Sequence, residues 1–209
     1  MKKTTTILCL GIALCMLGCS DDDDQVTTTS TVPFSLTASL SPRSSDAEDT
    51  GILQGNWDAN SQLAVIKTGS SGVPKSILTR KTDSSDTFTG NLSTLVKNEN
   101  EIAVFYPAAA ITANSSDTLT QTLNLSGQDG TLAGITNYDY LWAQCKAGMN
   151  ETTGSSACEM TSLVTIGKFQ FTVNGGSPLN NITRITITAT AGTLYSSAVM
   201  KLKNGEFSS

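Results

Sequence analysis

The chain has 209 residues, with 13 basic against 18 acidic and no histidine. An acidic chain without a basic cluster excludes a binder of nucleic-acid phosphates. The absence of imidazole excludes Ser-His-Asp and Cys-His nucleophile systems and every zinc site that needs histidine. Only 15% of residues are charged, while Thr, Ser and Gly are abundant, a mix that suits an extracellular β-protein with polar outward faces.

The chain opens with Lys2 and Lys3, an apolar run from Ile7 to Leu17, then Gly18-Cys19-Ser20 and four aspartates, Asp21 to Asp24. A positive start, a short apolar stretch and small residues at the cut make a secretory signal peptide. The run is too short for the roughly 20 residues of a membrane-spanning helix. Gly18-Cys19 resembles the lipobox of bacterial lipoproteins, with Met16 where leucine is usual. That resemblance implies that Cys19 is acylated and becomes the first residue of the mature chain, anchoring it to the outer membrane. Residues 1–18 are read as the signal peptide and 19–32 as an acidic, Thr-rich tether. Removing the signal leaves 11 basic against 18 acidic residues, a net charge of −7.

From Phe34 to Leu40 the sequence alternates, with Phe34, Leu36, Ala38 and Leu40 on one face, which predicts a half-buried strand. It stops at Ser41-Pro42-Arg43, and the polar, acidic segment from Ser44 to Gly51 reads as a loop. Strands are predicted over Leu63–Lys67, Ser76–Lys81, Thr87–Leu92 and Glu101–Tyr106, the last stopped by Pro107. Leu119, Gln121, Leu123 and Leu125 share a face in the next one. Tyr138–Cys145 follows, then a long strand over Met160–Val173 with a bend near Gly167. Ile185, Ile187 and Ala189 alternate with Arg184, Thr186 and Thr188, and Leu194–Leu202 closes the set. Because no window has a helical period, the fold class expected is an all-β antiparallel β-sandwich, one domain over residues 33–209.

Two cysteines remain beyond the anchor, Cys145 and Cys158. An even pair in an exported chain reads either as a structural disulfide stapling the arms of a hairpin or as two buried thiols. Closing so short a loop would stabilise the fold by about 3 kcal/mol. The acids fall in runs such as Asp46-Ala47-Glu48-Asp49 and single out no catalytic pair, so no enzyme is expected. No cofactor or metal is expected either, since Asp21–Asp24 lacks the spacing of a calcium loop. Trp57, Tyr106, Tyr138, Tyr140 and Trp142 read as core or rim aromatics rather than a sugar-stacking platform.

Several stretches together resemble the fimbrillin family of bacterial fimbrial subunits and related surface lipoproteins. They are the lipobox, the alternating strand ending in Arg43, Trp57-Asp58 ahead of Leu63-Ala64-Val65, and Ala103-Val104-Phe105-Tyr106-Pro107-Ala108. To these add Gly127-Gln128-Asp129-Gly130-Thr131-Leu132 followed by Tyr138-Asp139-Tyr140-Leu141-Trp142-Ala143. The resemblance covers residues 31 to 203. It implies a transthyretin-like β-sandwich, normally one of two such domains; with the chain ending at Ser209, only the N-terminal one is expected here. It also implies a mechanism: a trypsin-like protease cuts after an arginine behind the first strand, the strand leaves, and the vacated groove accepts a donor strand from another subunit. The matching strand is Phe34–Leu40, and the matching cut lies between Arg43 and Ser44. Physically the assembly is β-strand addition, in which main-chain hydrogen bonds supply affinity and side-chain pockets supply register.

The function expected is therefore a structural and adhesive subunit of fimbriae, surface-exposed and lipid-anchored. Its partners would be other fimbrial subunits, the outer membrane through Cys19, and a host protein or glycan, but not nucleic acid. The alternative is an outer-membrane ligand- or glycan-binding lipoprotein on a similar domain, and fold alone does not separate the two.

Overall fold

The computed structural model describes residues 30–41, 55–69, 72–84, 86–112, 120–128, 131, 134, 137–164, 176, 181, 183, 184, 186, 188, 190, 191, 196–201 and 203–208. The described part is almost entirely β. In chain order the strands are β1 (Thr31–Leu40), β2 (Gln62–Lys67), β3 (Ser76–Arg80), β4 (Thr87–Ser93), β5 (Glu101–Tyr106) and β6 (Thr120–Asn124). They continue with β7 (Leu141–Lys146), β8 (Gly148–Met149), β9 (Gly154–Ser162), β10 (Ser197–Lys201) and β11 (Phe207–Ser208). A 3-10 turn, Ala108–Ala110, follows the cis Tyr106–Pro107 peptide.

The large sheet runs β1-β4-β3-β2-β5-β7-β9-β8, and β1 also pairs with β9. That last pairing closes seven strands into a mixed barrel and overturns the expected antiparallel, transthyretin-like β-sandwich. The all-β class stands; the architecture does not. β1 lies antiparallel to β4, from Thr31 opposite Ser93 to Thr37 opposite Thr87. On its other side it lies parallel to β9, from Phe34 beside Gly154 to Leu40 beside Met160. A sandwich would leave the first strand on a sheet edge, whereas here both of its edges are hydrogen-bonded. The period-2 alternation that revealed the strand is the same in either case, because it reports one buried face and nothing about neighbours.

Two cores follow from this arrangement. The barrel interior holds Phe34, Leu36 and Ala38 from β1, Leu63 and Val65 from β2, Leu78, Phe88 and Leu92, with Ile102, Val104 and Tyr106 from β5 and Leu141 and Ala143 from β7. A second sheet, β11-β10-β6, supplies Leu123 and Met200 to a separate cluster with Ala64, Ile66, Ala103, Phe105 and Tyr140. β2 and β5 therefore contribute alternate residues to the two clusters and are covered on both faces. This explains why Leu63–Ile66 and Ile102–Tyr106 read as continuous apolar runs rather than alternations. The Tyr140 hydroxyl donates to the Asn124 carbonyl at 2.8 Å, tying the chain ahead of β7 to β6.

Most predicted strands are found with small shifts at their ends. The exception is β9, which starts at Gly154 where the long strand was expected to start at Met160. Its first half, Gly154 to Glu159, carries little apolar signal and is only half-buried on its inner face. Residues 165–175 and Ile185, Ile187 and Ala189 lie outside the described residues.

Leu36 is fully buried at the middle of β1. Leu36→Ala should lower stability by about 2–5 kcal/mol in denaturant unfolding, as for other large-to-small changes in a packed interior. Thr37 alternates out to the exposed face, so Thr37→Ala should change stability by less than about 0.5 kcal/mol.

Candidate functional site

The site is the slot that β1 fills. Val32, Phe34, Leu36 and Ala38 point inward and are buried, and Leu40 is half-buried at the end. Phe34 is the widest of these side chains, and its two cross-strand neighbours are both glycine: Gly90 on β4 and Gly154 on β9. A Cβ on Gly154 would stand 2.6 Å from Phe34 Cδ2 and would also strike the Met149 sulfur. A Cβ on Gly90 would stand 2.6 Å from the Ile77 carbonyl and 2.9 Å from Leu78 Cδ2. Glycine inside a strand weakens it unless something approaches closely. Here the bare backbone of β9 receives the ring.

The C-terminal end of β1 is held by a different device. The Trp57 indole Nε1 donates to the Ala38 carbonyl at 2.7 Å, and the Ala38 N–H donates to the Asp86 carbonyl at 2.8 Å. Trp57 itself is fixed edge-on by Phe88 at 4.9 Å and Tyr106 at 5.3 Å between ring centroids. At the other end, Ser30 and Thr94 join by their hydroxyls at 2.7 Å, and the Thr94 N–H donates to the Ser30 carbonyl at 2.9 Å. Beside that end lies an open cleft of about 380 Å³, walled by Val32, Thr94, Val96, Lys97, Asn98, Met149, Asn150 and Glu151. Because Val32 is part of its wall, departure of β1 would extend the cleft along the whole slot.

Of the residues singled out in the sequence, Phe34, Leu36, Ala38 and Leu40 line up as expected on one face. Cys19, Arg43 and Ser44 lie outside the described residues, as do Asp21–Asp24. Trp57, Tyr106 and Tyr140 are buried within the two cores. Trp142 is half-buried and lies under Gly205, where an added Cβ would be 2.7 Å from its ring. The five aromatics form no exposed platform. Among the described residues no group of three acidic or sulfur ligands could hold a metal ion. Sequence reasoning missed the two glycines that flank Phe34 and the Trp57 bond to β1. The signal for one was present, since Gly90 interrupts the otherwise extended stretch of β4, whereas Gly154 opens β9 directly behind a turn.

Cys145 and Cys158 both face inward, both are half-buried, and both are free thiols in the structure. The neighbouring Cys158 thiol, as a hydrogen-bonding partner of the thiolate, holds Cys145 down at about 7; burial opposes the shift and a hydrogen bond from Ser156 reinforces it. Cys158 is pushed far up by the same hydrogen bond, by burial and by the negative charge on Cys145.

Trp57→Phe keeps the ring but removes the donor to Ala38. It should cost about 1–3 kcal/mol, the usual result of leaving a buried acceptor unpaired. Amide hydrogen exchange should then speed up at the Ala38 end of β1 before it does in β2 or β5. Alkylation of Cys145 by iodoacetamide should rise through about pH 7 and level off there, because the thiolate is the nucleophile. An ordinary thiol would keep accelerating to about pH 8.5.

No protein-family model matches the chain, and no curated protein matches it. Among solved structures, the fold is similar to that of a protein from Bacteroides ovatus described as a "putative cell adhesion protein". The likeness has a TM-score of 0.50 at 15% sequence identity and covers 85% of this chain and 67% of that one. At that identity the likeness concerns the fold.

Proposed function

We propose that this chain is a fimbrillin-like surface lipoprotein, anchored through Cys19, with a structural and adhesive rather than catalytic role. Its assembly step is exchange of β1. Cleavage between Arg43 and Ser44 frees the strand from the chain that follows, and a strand from another subunit then takes its place. The observation that carries this reading is the position of β1, a single ten-residue strand seated between β4 and β9. Its withdrawal would leave two unpaired strand edges and an apolar slot shaped for residues at alternate positions, the conditions under which strand addition is favourable. The adhesive part of the reading is supported by the description of the Bacteroides ovatus protein with the similar fold.

A glycan-binding role would use exposed aromatic faces. Trp57, Tyr106 and Tyr140 are instead inside the cores, and the subunit reading is preferred for that reason.

Limited digestion of the native full chain with trypsin, followed by mixing with a fluorescent peptide of residues 31–40, tests the proposal. The expected result is a new N-terminus at Ser44 and stable uptake of the peptide by cut chains only. A chain that resists cleavage after Arg43, or cut chains that never exchange the peptide, would overturn it. Replacing Phe34 by Ala in the peptide should weaken uptake by at least about tenfold, since truncating a buried aromatic costs about 3–5 kcal/mol in a packed interior.

A further inference from the structure

The hairpin formed by β7, β8 and β9 is unevenly held. Leu141 and Trp142 pair with Ser162 and Thr161, and Gly148 and Met149 pair with Ser155 and Gly154. The two ends share one register, yet no ladder pair joins residues 143–147 to 156–160, all of which are described. On its other edge β7 is paired with β5 throughout, up to Lys146 opposite Glu101, after which the Ala147 N–H donates to the Asn100 carbonyl and the Ala147 carbonyl accepts from the Glu99 N–H. β9 is paired with β1 on its other edge from Gly154 to Met160. The register carried across the gap sets Cys145 opposite Cys158, at its centre. Both thiols pack against the barrel core, and Cys158 Sγ lies 3.8 Å from Met160 Sδ. Ser156 Oγ lies 3.3 Å from Cys145 Sγ and 2.7 Å from the Lys146 carbonyl.

We propose that Cys145 and Cys158 are a redox site, a cross-strand dithiol that a small or protein disulfide converts to a bond clamping β9 to β7. In a fully paired antiparallel hairpin, opposed residues fall within the span that a disulfide bridges, and the paired ends of this one set Cys145 and Cys158 in that register. Cys145, as thiolate, attacks one sulfur of the oxidant; a mixed disulfide forms and one thiolate leaves. Capping Cys145 removes the negative charge that held the proton on Cys158. Cys158 gives that proton to solvent and attacks Cys145 Sγ, releasing the second thiolate of the oxidant. Two protein thiols are oxidised to one disulfide, and the oxidant is reduced to two thiols. Half-burial and the missing ladder leave the pair reachable by a small disulfide.

The chemistry is independent of the assembly reading; its consequence rests on it. When β1 leaves, β9 loses its parallel partner and is held on the β7 side only at the two ends of the hairpin. The bond would keep β9 in register to receive the incoming strand.

The native full chain is treated with oxidised glutathione and analysed by intact mass and non-reducing peptide mapping. The expected product has lost two hydrogens and carries a peptide joining Cys145 to Cys158, reversed by dithiothreitol. Cys158→Ser should stop at a glutathione adduct on Cys145, and Cys145→Ser should react about tenfold more slowly, following thiolate availability. A wild-type chain that keeps both thiols, or takes up two separate adducts, overturns the redox site whatever the variants do. Uptake of the residue 31–40 peptide by cut chains is then compared before and after oxidation. A bond that forms without changing uptake removes the role in assembly and leaves the redox site standing. Loss of uptake in both forms is a failure of the assembly reading alone.

Discussion

The closure of the barrel depends on one contact, the ring of Phe34 laid against the bare backbone of Gly154. A parallel pairing between strands so far apart in sequence has no short turn to enforce it, and its loop-closure entropy must be offset by contacts. Phe34, Leu36 and Ala38 supply them. All three are buried in the cluster that β2, β5 and β7 also fill. Gly90 on the other side keeps β4 close enough that Leu78 can fill the space beneath it. A side chain at either glycine would widen the barrel at the point where it shuts.

The two sides of the barrel are built differently. β2 and β5 are buried on both faces, because the β11-β10-β6 sheet covers them from outside. Among the described residues no second sheet covers β1 and β9, and the outward residues of β9, from Ser155 to Glu159, are exposed. β9 also lacks a ladder to β7 over its middle. The strand proposed to leave and the strand proposed to stay are therefore neighbours at the less constrained side. Trp57 is the link between the two regions: it bonds Ala38 on β1 while its ring rests on Tyr106 at the end of β5.

Much of this was legible in the residues. The alternation of Phe34, Leu36 and Ala38, the continuous runs of β2 and β5, and the stop at Pro107 each carry a strand's burial in their pattern. β9 was misplaced because Gly154-Ser155-Ser156-Ala157 has neither an apolar face nor strong β-branched content. Its strand character comes from pairing with β1, a tertiary override of local preference. Closure was not legible for a related reason: an edge strand and an interior strand of a curved sheet share the same period, and the sheet's ends meet only in three dimensions. The opposition of Cys145 and Cys158 was readable from their spacing around the Asn150 turn. The gap in the ladder around them was not, because residue spacing does not report where two strands draw apart.

Amide hydrogen exchange along β1, resolved residue by residue in the uncut chain, tests the closure most directly. A strand bonded on one edge protects alternate amides, while one bonded on both edges protects consecutive ones. The account requires slow exchange at every residue from Phe34 to Ala38. Protection at alternate positions only, with the amides that face β9 exchanging as fast as a loop, would contradict it.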